Sequence, residues 1–235
     1  MKYKSALTTS ASGSIDGMTA SRNRGGRYLR ARAIPTDPNT VRQQTMRAIM
    51  GQLVDRWTNT LTQVQRDAWN LYGANVPVLD ALGDPINLSG QQWYVKANSI
   101  RQQAITELAS TITLVDDGPT VFALTANPVA TVDSIDTAGG DFDVSFNNGS
   151  ESMTQVDGAL LIYQGRPQSV GRSFFRGPWR LAGLVAGAVV PPTSPATIPV
   201  SYALAAGQHV WFRAVASNVD GRPSEVVELG PFLTV

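Results

Sequence analysis

The residues best suited to chemistry are five arginines, Arg22, Arg24, Arg27, Arg30 and Arg32, set two or three apart and interleaved with Tyr28, Leu29 and Ile34. A guanidinium fork donates paired hydrogen bonds to phosphates and carboxylates alike, so the set suits nucleic acid or the acidic face of a neighbouring protein. The apolar anchors Tyr28, Leu29 and Ile34 favour protein, because arms that lace subunits together combine extended backbone pairing with such anchors. Nucleic acid remains the alternative partner. A DNA-binding chain would more often bring a helix-turn-helix or a longer lysine-rich run, and the sequence has neither.

Catalysis finds no starting residue. The single histidine, His209, falls in mid-strand beside Val210 and Trp211, and no G-x-S-x-G, H-E-x-x-H or P-loop pattern occurs. The absence of cysteine removes thiol nucleophiles, thiolate metal sites and disulfides together. Asp133, Asp136, Asp141 and Asp143 are hard oxygen ligands of the kind calcium takes. Asp141 and Asp143, however, lie on the polar side of an alternating strand, and no loop has EF-hand spacing. A carbohydrate-binding platform would need an exposed aromatic ring from Trp179 or Trp211, although single tryptophans are more often core or turn anchors. The expectation is a protein that is not an enzyme, with no catalytic, cofactor-binding or metal-ligating residues and no cofactor.

The elements that must position the arginines follow from charge and period. Residues 1–47 carry nine basic residues against Asp16 and Asp37, a net of +7, whereas residues 48–111 sum to −1 and residues 112–235 to −5. A basic front therefore meets something acidic, or one copy's front meets another copy's back. Hydrophobic residues make up 43% of the chain and charged ones 16%, enough apolar surface to build cores. The longest apolar stretch, Leu181 to Val190, is interrupted by Gly183 and Gly187 and falls far short of the roughly 20 residues of a membrane span. No membrane association is expected, and no secretory signal is legible at the N-terminus.

Residues 1–38 read as an extended basic arm, rich in Gly, Pro, Ser and Thr. Within it Met18 to Asn23 and Arg27 to Ile34 flank Arg24-Gly25-Gly26, which predicts a β-ribbon with Tyr28, Arg30 and Arg32 on one face and Arg27, Leu29, Ala31 and Ala33 on the other. Residues 39–111 read as a three-helix unit. Asn39 or Thr40 caps a first helix with apolar Met46, Ile49, Met50, Leu53 and Trp57, and Thr62…Gln65 and Ser89…Gln92 are capping-box pairs ahead of two more. The three helices are expected to bury Trp57, Trp69 and Trp93 together. Residues 112–134 read as a linker with short strands. From 135 to 235 the period is two: Phe142, Val144 and Phe146 alternate with polar residues, Ala159 to Tyr163 is a continuous apolar run, and Val210, Phe212 and Ala214 alternate again. The fold class expected is α+β and multidomain, ending in an all-β Ig-like sandwich.

Two resemblances accompany this reading. Leu204 to Val210, Trp211 to Ala216 and Asn218-Val219-Asp220-Gly221-Arg222-Pro223-Ser224 resemble the late strands of a fibronectin type III domain, over about residues 135–235. Val210 stands where that family usually has its corner tyrosine, and Phe146 where it often has an early-strand tryptophan. The run Gly17 to Gly26 with Tyr28-Leu29-Arg30, the Gln- and Trp-bearing helices and Leu88-Ser89-Gly90-Gln91 resemble uncharacterised proteins encoded in tailed-phage and prophage genomes. That resemblance implies a virion structural protein made in the host cytoplasm, an auxiliary or decoration protein of the capsid or a neck protein, with a tail component as the alternative. Its implied partners are other virion proteins and further copies of itself, bound through Arg22, Arg24, Arg27, Tyr28, Leu29, Arg30, Arg32 and Ile34.

Overall fold

A computed structural model of the chain describes residues 13–23, 26–34, 36–79 and 84–234, and shows a mixed α+β protein with antiparallel sheets. The chain divides into two compact units, Met1–Gln43 and Gln44–Val235.

In the first unit, β1 (Gly13–Ile15), β2 (Met18–Asn23) and β3 (Gly26–Ala31) pair antiparallel in the order β1-β2-β3. The β2–β3 hairpin is the ribbon that the sequence predicts, with Asn23 opposite Gly26 and Met18 opposite Ala31. Asp16 takes a left-handed φ of 48° at the turn before β2, and Arg32 N donates to Gly17 O at 2.8 Å, extending the pairing past β3. Thr40 and Gln43 cap the helix that follows: Thr40 N donates to Gln43 Oε1 at 3.0 Å and Gln43 N to Thr40 Oγ1 at 3.4 Å.

The second unit is built on α1 (Val41–Asn59), α2 (Gln63–Asn75) and α3 (Gly90–Leu108), with a small hairpin of β4 (Pro77–Leu79) and β5 (Pro85–Asn87) between the last two. Both predicted capping boxes form, Thr62 with Gln65 and Ser89 with Gln92. Each cap satisfies donors at a helix start that would otherwise have no partner and contributes about 1 kcal/mol. The three tryptophans do share a core, but tyrosines join them. Trp57 and Trp69 pack on Tyr94 with ring centroids 5.5 and 5.8 Å apart, and Tyr72 stands edge-on to Trp93 at 5.1 Å and to Trp69 at 6.0 Å.

Residues 112–128 hold one isolated bridge, Thr125 with Ser224, yet side chains from the helices strap the segment down. Asn98 brackets Val115 with two bonds of 2.8 and 2.9 Å. Asp116 takes a forked pair from Arg56 at 2.8 and 2.6 Å and a third bond from Tyr94 at 3.1 Å, while its carbonyl accepts from Trp69 Nε1 at 2.9 Å. The bond to Asp116 is the main reason Arg56 is held above the usual arginine value. The segment thus ties all three helices without a helix or strand of its own.

The remaining strands are β6 (Val129–Asp136), β7 (Asp141–Phe146), β8 (Ala159–Gly165), β9 (Gln168–Ser169), β10 (Trp179–Ala186), β11 (Ala196–Pro199), β12 (Gln208–Ser217) and β13 (Val227–Leu233), with the short α4 (Glu151–Thr154) after β7. They form one sheet in the order β10-β8-β12-β13, with β9 on β12, and a second in the order β11-β7-β6. Phe142, Val144 and Phe146 of β7 pack with Leu160 and Ile162 of β8 and with Val210, Phe212 and Ala214 of β12 in one core. The Phe142 and Phe212 rings lie 4.4 Å apart. Gly183 lets the sheets close, since a Cβ there would come within 2.5 Å of Ile198 Cγ2.

The contrast in sequence pattern between β7 and β8 has a physical cause. β7 alternates because its other face carries polar side chains, whereas β8 is continuously apolar because both faces are covered. Leu160 and Ile162 face the second sheet; Ala159 and Leu161 face α3, packing with Ala104. No helix among the described residues is long and apolar enough to cross a membrane.

Candidate functional site

The arginine set sits on the ribbon of the first unit. Arg30 lies opposite Thr19, and Tyr28 opposite Ser21, so these four share one face, while Leu29 lies opposite Ala20 on the other. Ser14, opposite Thr19 on the outer strand, shares a 2.9 Å hydroxyl contact with it. Arg22 and Arg27 are directly opposite each other in the register. Arg24 lies outside the described residues. Tyr28 and Leu29 are half-buried, Arg30 and Arg32 are exposed, and Ile34 is 81% exposed. No described carboxylate forms an ion pair with Arg30 or Arg32. None of the described residues of Met1–Gln43 is buried. Two antiparallel pairings therefore hold a sheet with no core beneath it. The resulting surface offers a guanidinium, a phenol ring and hydroxyls on one face and apolar Met18, Ala20 and Leu29 on the other. Side chains of this kind supply apolar anchors and charge to a binding surface.

The other chemical candidates are engaged locally. His209 Nδ1 lies 3.0 Å from Arg172 O, and its ring stands edge-on to Trp211 at 5.8 Å. Asp143 accepts from Thr197 Oγ1 at 2.6 Å and Ser134 Oγ at 2.7 Å, and these two hydroxyls hold it below its ordinary value. Asp133 accepts from Ser145, and Asp136 from Ala138 N at 2.8 Å. Trp211 is buried and stacks on Phe175, with centroids 5.5 Å apart, so it offers no open platform. Trp179 is half-buried, and the Arg213 guanidinium covers its ring at 4.6 Å.

Three polar side chains that pattern reasoning passes over organise the second unit. Arg101 is fully buried in α3. Its Nε donates to Thr113 O at 2.5 Å and its Nη1 to Ser217 Oγ and Asn218 O at 3.0 and 3.1 Å, joining helix, strap and the end of β12. Burial depresses its pKa, outweighing the opposing charges of Asp157 and Asp220, neither of which forms an ion pair with it. Gln164 on β8 holds the 201–202 loop, accepting from Ser201 N and Tyr202 N and donating to Tyr202 O. Arg222 bridges Asp220 at 2.6 Å and Glu151 at 2.5 Å, and although burial opposes its charge, the two carboxylates hold it above the usual arginine value. The signal for each was a lone polar residue inside an apolar helix or strand, or beside a turn.

Comparison of the chain with family models, curated proteins and solved structures found no match.

Proposed function

We propose that this chain is a structural protein of an assembled particle, most concretely an auxiliary, decoration or neck protein of a tailed-phage virion. The N-terminal ribbon docks on other subunits of the particle. The two sheets of the second unit are read as an Ig-like sandwich of fibronectin type III kind, a domain of its own that is displayed. The observation that carries this reading is the ribbon: backbone pairing orders it, yet none of its described residues is buried, and no described carboxylate pairs with Arg30 or Arg32. A sheet of three strands with no buried side chain among its described residues gains little from folding alone and gains more by covering that surface with a partner. Its resemblance to tailed-phage proteins supplies the kind of particle, and the basic front with an acidic back supplies a way for copies to sort.

The test is co-sedimentation of the full-length chain with assembled particles, beside the variants Tyr28→Ala and Arg30→Glu/Arg32→Glu. Docking through the ribbon predicts that the chain pellets with particles and that the double charge reversal weakens this by about tenfold or more. If the chain ignores particles and instead retards DNA at low salt, with affinity falling steeply as salt rises, the arm is a nucleic-acid grip and the docking reading is wrong.

A further inference from the structure

Helix α1 spans Val41–Asn59 but buries only Ile49 and Leu53. Toward α3 it presents Met50, 44% exposed, and Val54, 42% exposed. One position round the helix from these lie Ala48, Gly51 and Asp55, all exposed and spaced to form a single edge. At Gly51 a Cβ would meet nothing within 4 Å, so nothing in this chain requires a glycine there. An exposed glycine inside a helix costs about 1 kcal/mol relative to alanine.

Beside that edge runs a groove. Met50 and Val54 of α1 face Gln91, Gln92, Val95, Lys96 and Ser99 of α3 across a cavity of about 510 Å³. Lys96 and Ser99 also line a second cavity of about 330 Å³ that continues along α3 toward Tyr163, Trp179 and Arg213. Arg213 is already neutralised by Glu228 at 2.5 Å. Lys96 has no ion pair among the described residues: its Nζ lies 4.5 Å from the Trp93 ring centroid, and the Glu225 carboxylate acts on it only from beyond ion-pair distance. It is also the only lysine after Lys4. On α1, Asp55 accepts from the Asn59 amide at 2.7 Å and meets no described cation.

We propose that this face is a two-fold interface between copies of the chain, in which the Ala48–Gly51–Asp55 edge of each α1 lies in the α1–α3 groove of the other and Asp55 pairs with the partner's Lys96. A closed two-fold contact requires a patch that complements itself. This one contains a slim helix edge and an apolar groove, an unpaired acid and an unpaired base. A two-fold axis running along the helices brings the Asp55 side of one copy over the α3 side of the other. Gly51 at the crossing then lets the backbones approach over Met50 and Val54. The cation–π contact with Trp93 and the surrounding apolar wall hold Lys96 in place for a carboxylate. The interface residues all belong to the second unit, and the contact does not depend on what the ribbon binds.

Sedimentation velocity of the full-length chain across a wide concentration range tests the interface. The expected result is a reversible species of twice the chain mass, pushed toward monomer by Gly51→Leu and by Val54→Glu. Asp55→Lys and Lys96→Asp should each weaken association by about tenfold, and the two together should restore it. All four positions are exposed, so far-UV circular dichroism should match the unaltered protein; Gly51→Leu should melt no lower, because it relieves the glycine's cost in the helix, and Lys96→Asp only slightly lower, because it loses the Trp93 contact. A chain that stays monomeric at every concentration overturns the proposal, as does a dimer that none of these variants weakens or a double exchange no tighter than its singles. Ribbon variants that lose particle binding should leave the dimer intact, so the two readings fail separately.

Discussion

The ribbon of residues 13–31 and the sheets of residues 129–233 are built from the same antiparallel pairing, yet they differ completely in burial. Phe142, Val144, Leu160 and Phe212 have no exposed surface, while no described residue of the ribbon is buried. Pairing exchanges water bonds for chain bonds at little net gain, about 1 kcal/mol each, whereas apolar burial returns roughly 25 cal/mol per Å². The sheets are therefore stable because of what they cover. The ribbon's described residues, in contrast, are held by strand pairing with no buried side chain. A strand's role in this chain is decided by the surface behind it, not by its own hydrogen bonds.

The sharpest way to break that contrast is to truncate one aromatic ring in each region. Phe142→Ala removes a ring packed 4.4 Å from Phe212 and should lower stability by about 3–5 kcal/mol, read as a drop in the urea midpoint. Tyr28→Ala in the ribbon should stay within about 0.5 kcal/mol. A comparable loss from both would mean that the ribbon is covered within the chain itself.

Arg101 asks whether a polar group can do what apolar burial does elsewhere. Arg101→Ala strands the carbonyl of Thr113, takes away the Ser217 hydroxyl's partner and one of two donors to Asn218 O, and should cost about 2–4 kcal/mol in the same denaturation measurement. Arg101→Met keeps most of the volume while removing a buried charge that has no ion pair among the described residues, and its loss should be clearly smaller. Equal losses would assign the whole effect to the hydrogen bonds.

A smaller effect reads burial through pH. Tyr72 is pushed up to about 12, chiefly by burial, from an ordinary value of 10.0. The folded chain thus keeps that proton after the unfolded chain has lost it. The stabilisation is complete below the unfolded value and is lost as pH rises through the folded one. Tyr72 should therefore contribute a decline of at most about 1.4 kcal/mol per pH unit between those two values. Alkaline melts of Tyr72→Phe should show a shallower decline, and Tyr94, also raised mainly by burial, should account for part of what remains. An unchanged slope would mean that the phenol of Tyr72 is hydrated in the folded chain.

Much of the fold was legible because its signals are local. Thr62…Gln65 and Ser89…Gln92 marked two helix starts, the two-residue period marked β7 and β12, and Arg24-Gly25-Gly26 marked the ribbon hairpin whose flanks pair as expected. The groove was not legible. Met50 belongs to the apolar stripe of α1, and the pattern counts it as core, but with α3 beside it the side chain remains half open. The strap was missed for a related reason: Asn98, Arg101 and Asp116 act on residues 12 to 117 positions away, and no local period records such partners.

The sequence by itself determined where helices start, which strands alternate, that the front of the chain is basic, and that cysteine chemistry is absent. These follow from residue types and from spacings of a few positions. The tertiary structure alone decided that β8 is covered on both faces, that a segment without regular elements ties three helices together, and that Lys96, with no ion pair among the described residues, stands beside an open groove. Each of these depends on surfaces brought together from distant parts of the chain, because burial and ion pairing are properties of what lies opposite a side chain rather than of the side chain alone.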